Sequence, residues 1–248
     1  MLSPIPVHDI SLPHLRHACS NCSLRELCLP AGLTAEDMHA VEKLVTQGRP
    51  VKRGEALYRA GEPFKALYAV RLGFLKTSVI SPDGREQVTG FHMSGDLMGM
   101  DAISADLHAC DAIALEDSEV CELPFTEMET LSRQIPALQH HFYKVMSREI
   151  VRDHGVMLLL GNMKAEERVA AFLLSLSTRF QLRGYSSTGF NLRMTREEIG
   201  SYLGLKLETV SRTLSKFQEQ GLIKVHNRLI ELLDLAALRQ IISNEQGG

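Results

Sequence analysis

No stretch of this 248-residue sequence is apolar for long enough to cross a bilayer. Its longest runs, such as 169–174 (VAAFLL), fall far short of the roughly 20 residues that a spanning helix needs. The opening MLSPIPVHDI lacks the cationic stretch and apolar core of a secretory leader. A soluble, cytoplasmic protein with no membrane partner is therefore expected. The nucleophile elbow, the P-loop, the dinucleotide fingerprint and the HExxH zinc motif are all missing, so those enzyme classes lack their chemistry and no catalytic residue is assigned. Neither sign of charge dominates: 27 Lys+Arg stand against 30 Asp+Glu, a net charge of −3. With 23% charged and 44% hydrophobic residues, disordered and fibrous classes are excluded. At roughly 100–200 residues per domain, one or two domains with a sizeable core are expected.

What is present is uneven. From Lys164 onward twelve Lys+Arg face nine Asp+Glu, whereas the preceding residues hold fifteen against twenty-one. An acidic front and a mildly basic back suit a protein whose last third meets a polyanion. Five cysteines is an odd number, and without secretion thiols stay reduced. Metal binding or reactivity is the better reading than disulfides.

Residues 1–48 read as a cysteine-rich arm with a short helix over 34–45, where Thr34 and Asp37 have the spacing of a capping box. Over 49–132 short apolar stretches (56–58, 66–70, 74–80, 87–91, 112–115 and 120–123) alternate with Gly, Pro and Asp turns, which predicts a small β-roll. Pro136 opens a long helix to about Met163, roughly 40 Å at 1.5 Å per residue. Phe142, Met146, Ile150, Met157 and Leu160 recur along it with Asp153 filling the gap, a heptad-like seam that also fits a helix packed on its own domain. So long a stripe outruns a small roll, which favours a dimer helix over 133–163. Residues 164–248 read as helix, capping box at Thr195, helix, Gly204 turn, second helix over 207–220 and a hairpin around His226-Asn227-Arg228. That order is a winged helix-turn-helix, and the whole is an α+β chain.

On the second helix Leu207, Val210, Leu214 and Phe217 form the apolar side, while Glu208, Ser211 and Arg212 share another face. Arginine can bind guanine O6 and N7 in bidentate fashion, and a carboxylate can accept from cytosine N4. Arg193, Arg196, Lys206, Lys216 and Arg228 surround that face as candidate phosphate contacts. A plain surface Glu–Arg pair is the competing reading. Cys19-x2-Cys22-x5-Cys28 places three thiols within ten residues. Soft-metal ligation is expected, with Cys121 or Cys110 as the fourth donor, for tetrahedral zinc or an iron–sulfur cluster. Leu24, Leu27 and Leu29 beside these cysteines should limit solvent access. His140-His141 reads as a solvated pair at the start of the long helix.

At this point a resemblance is visible. Cys19-Ser20-Asn21-Cys22 with Cys28, Leu67-Tyr68-Ala69-Val70-Arg71, Gly95-Asp96-Leu97, Val120-Cys121-Glu122-Leu123-Pro124 and Glu208-Thr209-Val210-Ser211-Arg212 resemble the CRP/FNR superfamily of bacterial regulators, and within it the oxygen-sensing FNR type. The resemblance spans nearly the whole chain. It implies a cyclic-nucleotide-binding-like jelly roll and one [4Fe–4S] cluster per subunit on Cys19, Cys22, Cys28 and Cys121. It further implies homodimerisation through the long helix when the cluster is intact, and binding to double-stranded palindromes of the type TTGAT-N4-ATCAA near genes of anaerobic metabolism. Oxygen converts the family's cluster to a [2Fe–2S] form, and the dimer and DNA affinity are lost. The same likeness implies RNA polymerase contacts at Asp83, Gly84 and Arg85, and at Arg183 and Tyr185.

Two positions depart from the pattern. Cys110 is an extra thiol. Leu207 stands where FNR-type regulators usually carry Val and CRP-type ones a base-reading Arg, which argues against a CRP-type half-site. A cyclic-nucleotide receptor would hold its phosphate with an Arg-Ser/Thr-Ala segment; here Cys110-Asp111-Ala112 offers no arginine and a repelling carboxylate, so no cyclic nucleotide is expected. The alternatives are a CRP-like regulator of another small molecule, a structural-zinc regulator and, more distantly, an iron–sulfur redox enzyme.

Overall fold

The computed structural model describes residues 19–243. The leader reading of the first ten residues falls outside the described residues.

The arm begins with a 3-10 turn at Cys19–Asn21, followed by α1 (Arg25–Cys28) and α2 (Ala35–Leu44). The Thr34 hydroxyl accepts the Asp37 N–H and the Asp37 carboxylate accepts the Thr34 N–H, both at 3.1 Å, which satisfies two orphan donors of α2. Met38 and Val41 turn inward from this helix.

Eight strands follow: β1 (Thr46–Val51), β2 (Ala56–Tyr58), β3 (Ala66–Leu72), β4 (Phe74–Ile80), β5 (Glu86–Met93), β6 (Leu97–Met98), β7 (Asp111–Ala114) and β8 (Ser118–Pro124). They pair antiparallel into two four-stranded sheets, β1-β8-β3-β6 and β2-β7-β4-β5. Leu57, Tyr58, Tyr68, Leu75, Met98 and Val120 belong to the core of this roll. Strand β1 is absent from the sequence reading because Gly48 and Pro50 look like breakers. It runs at a sheet edge, where Pro is tolerated, and its register shifts between Thr46 and Arg49.

Helix α3 (Phe125–Gln134), also unanticipated, leads into α4 (Pro136–Asn162), with Pro136 in its first turn. Then come α5 (Ala165–Gln181), β9 (Gly189–Asn191), α6 (Arg196–Leu203), α7 (Leu207–Glu219), β10 (Ile223–His226), β11 (Leu229–Leu232) and α8 (Leu235–Ser243). Thr195 and Glu198 close a capping box at α6, and Gly204 takes φ +62° to make the turn into α7. The Arg168 guanidinium donates to the carbonyls of Met163, Leu203 and Leu160 at 2.8, 3.0 and 2.9 Å, tying the end of α4 to the end of α6.

The roll and the winged helix share one core. Phe74, Val88, Phe91 and Met93 from β4 and β5 join Phe172, Leu173, Val210 and Phe217 in a single apolar cluster. Phe91 lies 6.0 Å from Phe172 and 5.2 Å from Tyr202, centroid to centroid. Polar contacts seal the edge: Lys76 meets Glu86 at 2.9 Å and Glu198 at 3.1 Å, and the Ser201 hydroxyl accepts the Val88 N–H at 2.8 Å.

His92, on β5, is fully enclosed with its Nε2 3.2 Å from the Thr77 hydroxyl. Burial, with Arg152 adding to it, pushes the imidazole down to about 3 from the usual 6.5. The folded ring therefore stays neutral while an unfolded chain takes up a proton below about pH 6.5, so stability falls as pH falls from 6.5 toward 3. The slope reaches about 1.4 kcal/mol per pH unit. In urea titrations at pH 7 and pH 5, the wild type is expected to lose about 2 kcal/mol more than His92→Gln. Equal losses would contradict this role.

Candidate functional site

Four of the five cysteines face one cavity. Cys19, Cys22 and Cys28 come from the arm's first turns, and Cys121 comes from β8, where it stands opposite Ala69 of β3. Together they line one cavity of about 270 Å³ between arm, roll and α4, with Leu27, Leu29, Val41, Leu123 and Leu138 as apolar wall. Burial pushes the Cys28 thiol up to about 12, reinforced by Cys22, Cys121 and Cys19. Burial raises Cys19 to about 11, with Cys121 next in effect, and burial also raises Cys121. Among the described residues no three His, Cys, Asp or Glu side chains converge closely enough to hold one metal ion. The thiols surround a volume, not a point.

Cys110 lies in a different compartment. It is buried in the roll core, its Sγ 3.5 Å from an Asp101 oxygen, and burial with Asp101 pushes its thiol up to about 12. Nor is His141 the solvated residue that its sequence suggested. Its ring lines the cysteine cavity, and its buried Nε2 has no hydrogen-bond partner. Positions 138, 141, 142, 145, 148, 149 and 152 all face that cavity from α4, a helical period that could have marked His141 in the sequence.

The α4 seam is partly covered by its own chain. Phe142 packs on the arm's core and Leu160 on the winged-helix core, while Met146 is half-buried. Between those ends Ile150 is 53% and Met157 61% exposed, and Asp153 is exposed too. Tyr143, Val151 and Leu158, which the seam reading left out, are also exposed.

On α7, Val210, Thr213, Leu214 and Phe217 are buried. Glu208 and Arg212 point outward and Ser211 is half-buried beside them. Leu207, read as part of the apolar side, is 44% exposed because it begins the helix ahead of the packed turns. Lys206 is exposed at the N-cap. Arg196 is half-buried, and burial lowers its guanidinium pKa. Lys216 is engaged with Glu166 at 2.6 Å and Arg193 with Glu116 at 3.1 Å, so either must exchange a carboxylate for a phosphate to serve DNA.

The turn at Asp83, Gly84 and Arg85 is exposed, with Arg85 Nε donating to Asp83 at 2.7 Å. Tyr185 is exposed as well. Arg183 is not a surface contact: its side chain is 6% exposed and is ion-paired with Asp96. Burial alone would raise the Asp96 carboxyl, but Arg179 and Arg183 hold it below its usual range. Asp111 needs a similar correction. An arginine does stand beside it, since Arg59 reaches it at 2.7 Å, while the Ala60 N–H donates to it at 2.8 Å.

Residues 48–134 match the family model described as a cyclic nucleotide-binding domain, and residues 167–241 that of a Crp-like helix-turn-helix domain. The chain is 47% identical to the "Transcriptional regulatory protein btr" of Bordetella pertussis over 92% of this chain and 94% of that protein. It is 43% identical to the "Fumarate and nitrate reduction regulatory protein" of Escherichia coli over 90% of this chain and 89% of that one. The chain belongs to the CRP/FNR family. It is an FNR-type transcription regulator that binds DNA, and not an enzyme. FixK2 from Bradyrhizobium japonicum has the same fold, with a TM-score of 0.73 and 31% identity over 79% of this chain and 96% of that one. Among the described residues of this FNR-type chain, no helix is long and apolar enough to cross a membrane.

Proposed function

We propose that this regulator senses oxygen through a [4Fe–4S] cluster held by Cys19, Cys22, Cys28 and Cys121, and that the cluster promotes homodimerisation and binding to TTGAT-N4-ATCAA-type palindromes. The observation that carries the reading is the arrival of Cys121, remote in sequence, in the same cavity as the three arm cysteines. A tetrahedral zinc needs sulfurs within about 4 Å of one another. Four thiols lining one cavity are a donor set that fits an iron–sulfur cluster. When bound, the cluster supplies an oxygen-labile cross-link between the arm and β8. The chain supplies four thiols that would lose their protons to the incoming metal, and a largely apolar wall, and it sets the arm against α4. Exposed Ile150 and Met157 then find a second copy.

In such a dimer the two α7 helices enter successive major grooves about 34–36 Å apart. Arg212 reads guanine and Glu208 the opposing cytosine, while Lys206, Arg196 and Lys216 hold phosphates. Arg212→Ala is expected to cost about 1–3 kcal/mol and to relax preference at that guanine, whereas Lys216→Ala weakens all sequences alike. Competition shifts with single-base variants of the half-site decide it, and full retention of guanine preference would displace α7 from the groove. The Asp83–Arg85 turn and Tyr185 are the surfaces offered to RNA polymerase. No cyclic nucleotide is required, because Asp111 already occupies Arg59 and its carboxylate would repel a phosphate.

The test is anaerobic purification followed by iron and sulfide assays before and after air. Equal iron and sulfide that fall on aeration support the reading. A colourless protein carrying one zinc overturns it.

A further inference from the structure

We propose that Asp96 is a positioning residue that fixes the winged helix to the cysteine-bearing half of the chain, giving the arm a route to DNA geometry separate from the dimer seam.

The route is contiguous. Leu27, between Cys22 and Cys28, sits directly on Gly95: a Cβ built on that glycine would lie 2.6 Å from Leu27 Cδ1 and 3.1 Å from its Cβ. Gly95 takes φ +88°, so the turn between β5 and β6 needs a residue without a side chain both for its backbone and for the arm's approach. The next residue is Asp96. One carboxylate oxygen accepts from Arg183, while the other accepts from Arg179 and from the Met93 N–H at 2.9 Å. Arg179 also donates to the Phe91 carbonyl at 2.8 Å, and Arg183 to the Ser94 carbonyl. The last turn of α5 and the turn that follows it are thus held by one carboxylate and two carbonyls of the roll. All three charged side chains are largely withdrawn from water, so losing Asp96 leaves two guanidiniums buried and uncompensated, while losing Arg179 removes one of two cross-links.

Placement is the reason such a clamp matters. A dimer engages a palindrome strongly only when its second winged helix is already near the second half-site, and a loosely tethered one loses that effective concentration. In the clamped arrangement Glu208 and Arg212 are open to DNA, and Ile150 and Met157 are open to a partner. The clamp therefore holds a placement in which both surfaces are accessible.

The inference rests on the cluster reading only for the arm's order. The experiment compares the full-length wild type, Asp96→Asn and Arg179→Gln under anaerobic conditions. Iron and sulfide content, sedimentation, and affinity for a palindromic duplex and for a duplex with one half-site are measured on each. Asp96 and Arg179 also line the cysteine cavity, so affinities are compared at matched iron and dimer content. Both variants are then expected to lose about tenfold or more on the palindrome and to stay within about twofold on the single half-site. Equal loss on both duplexes, or no loss on either, overturns the clamp. Should Asp96→Asn fail to fold, Arg179→Gln carries the comparison, since it leaves Asp96 its Arg183 partner. A wild type without iron would sink the cluster reading, while the ratio of palindrome to half-site affinity would still judge the clamp. Amide exchange over residues 179–184 tests the arm's share: faster exchange in Leu27→Ala is expected, and unchanged exchange removes the arm from the route.

Discussion

Asp153→Ala is expected to dimerise and to bind DNA in air, without a cluster. Asp153 is exposed on α4 with Ile150 and Met157 on either side, so in a parallel pairing it meets its mate across the seam. Two carboxylates about 6 Å apart at an effective dielectric of about 20 repel by roughly 3 kcal/mol. That is about a hundredfold in the dimer constant. Gly155, whose surroundings are open, costs the helix up to about 1 kcal/mol more. Against these stand Ile150, Val151, Met157 and Leu158, all left in water by a single chain. On the proposed reading an ordered arm tips this balance toward the dimer. Ile150→Glu should remain monomeric even when the cysteines are loaded. Analytical ultracentrifugation of both variants, with and without oxygen, settles it. An Asp153→Ala protein that stays monomeric in air would show that this charge does not hold the subunits apart.

The other large effect falls on the cysteines. Cys19→Ala, Cys22→Ala, Cys28→Ala and Cys121→Ala are each expected to lose iron and sulfide, and with them the dimer and DNA binding in the absence of oxygen. The loss in palindrome affinity should be about a hundredfold or more, because it includes the dimer constant. Cys121 is the telling position. It is fixed in a sheet strand, so it alone among the four ties the arm to the roll. Cys110→Ala should keep its iron and its activity, since Cys110 packs beside Tyr58 and Asp101 away from the other four. Iron analysis and mobility shifts on the set give the answer, and an inactive Cys110 variant beside an active Cys121 variant would reverse the assignment.

Local chemistry explains which parts were legible in the sequence. Thr34 with Asp37 and Thr195 with Glu198 announce their helices because the capping box is written within four residues. Strand β4 shows as an apolar run closed by the Pro82-Asp83-Gly84 turn. Strand β1 does not, since Gly48 and Pro50 are tolerated there only through a register shift and an edge position. Long-range pairings leave no local trace. Arg183 sits in an Arg-Gly-Tyr-Ser turn that looks exposed, yet its partner Asp96 lies on the roll. The core shared by Phe91, Phe172 and Tyr202 is equally silent, because it depends on how the roll and the winged helix dock. In α4 the apolar period is plain. Which residues of that stripe remain open depends on the arm covering Phe142 and the winged helix covering Leu160.

On the proposed function, thiol-held iron and sulfide govern assembly on DNA. The most direct test is sedimentation of one anaerobic sample with a palindromic duplex, repeated after air, with iron and sulfide measured on the same fractions. The predicted result is a DNA-bound dimer that becomes a free monomer as iron and sulfide are lost. A dimer that stays on the palindrome after losing both would contradict it.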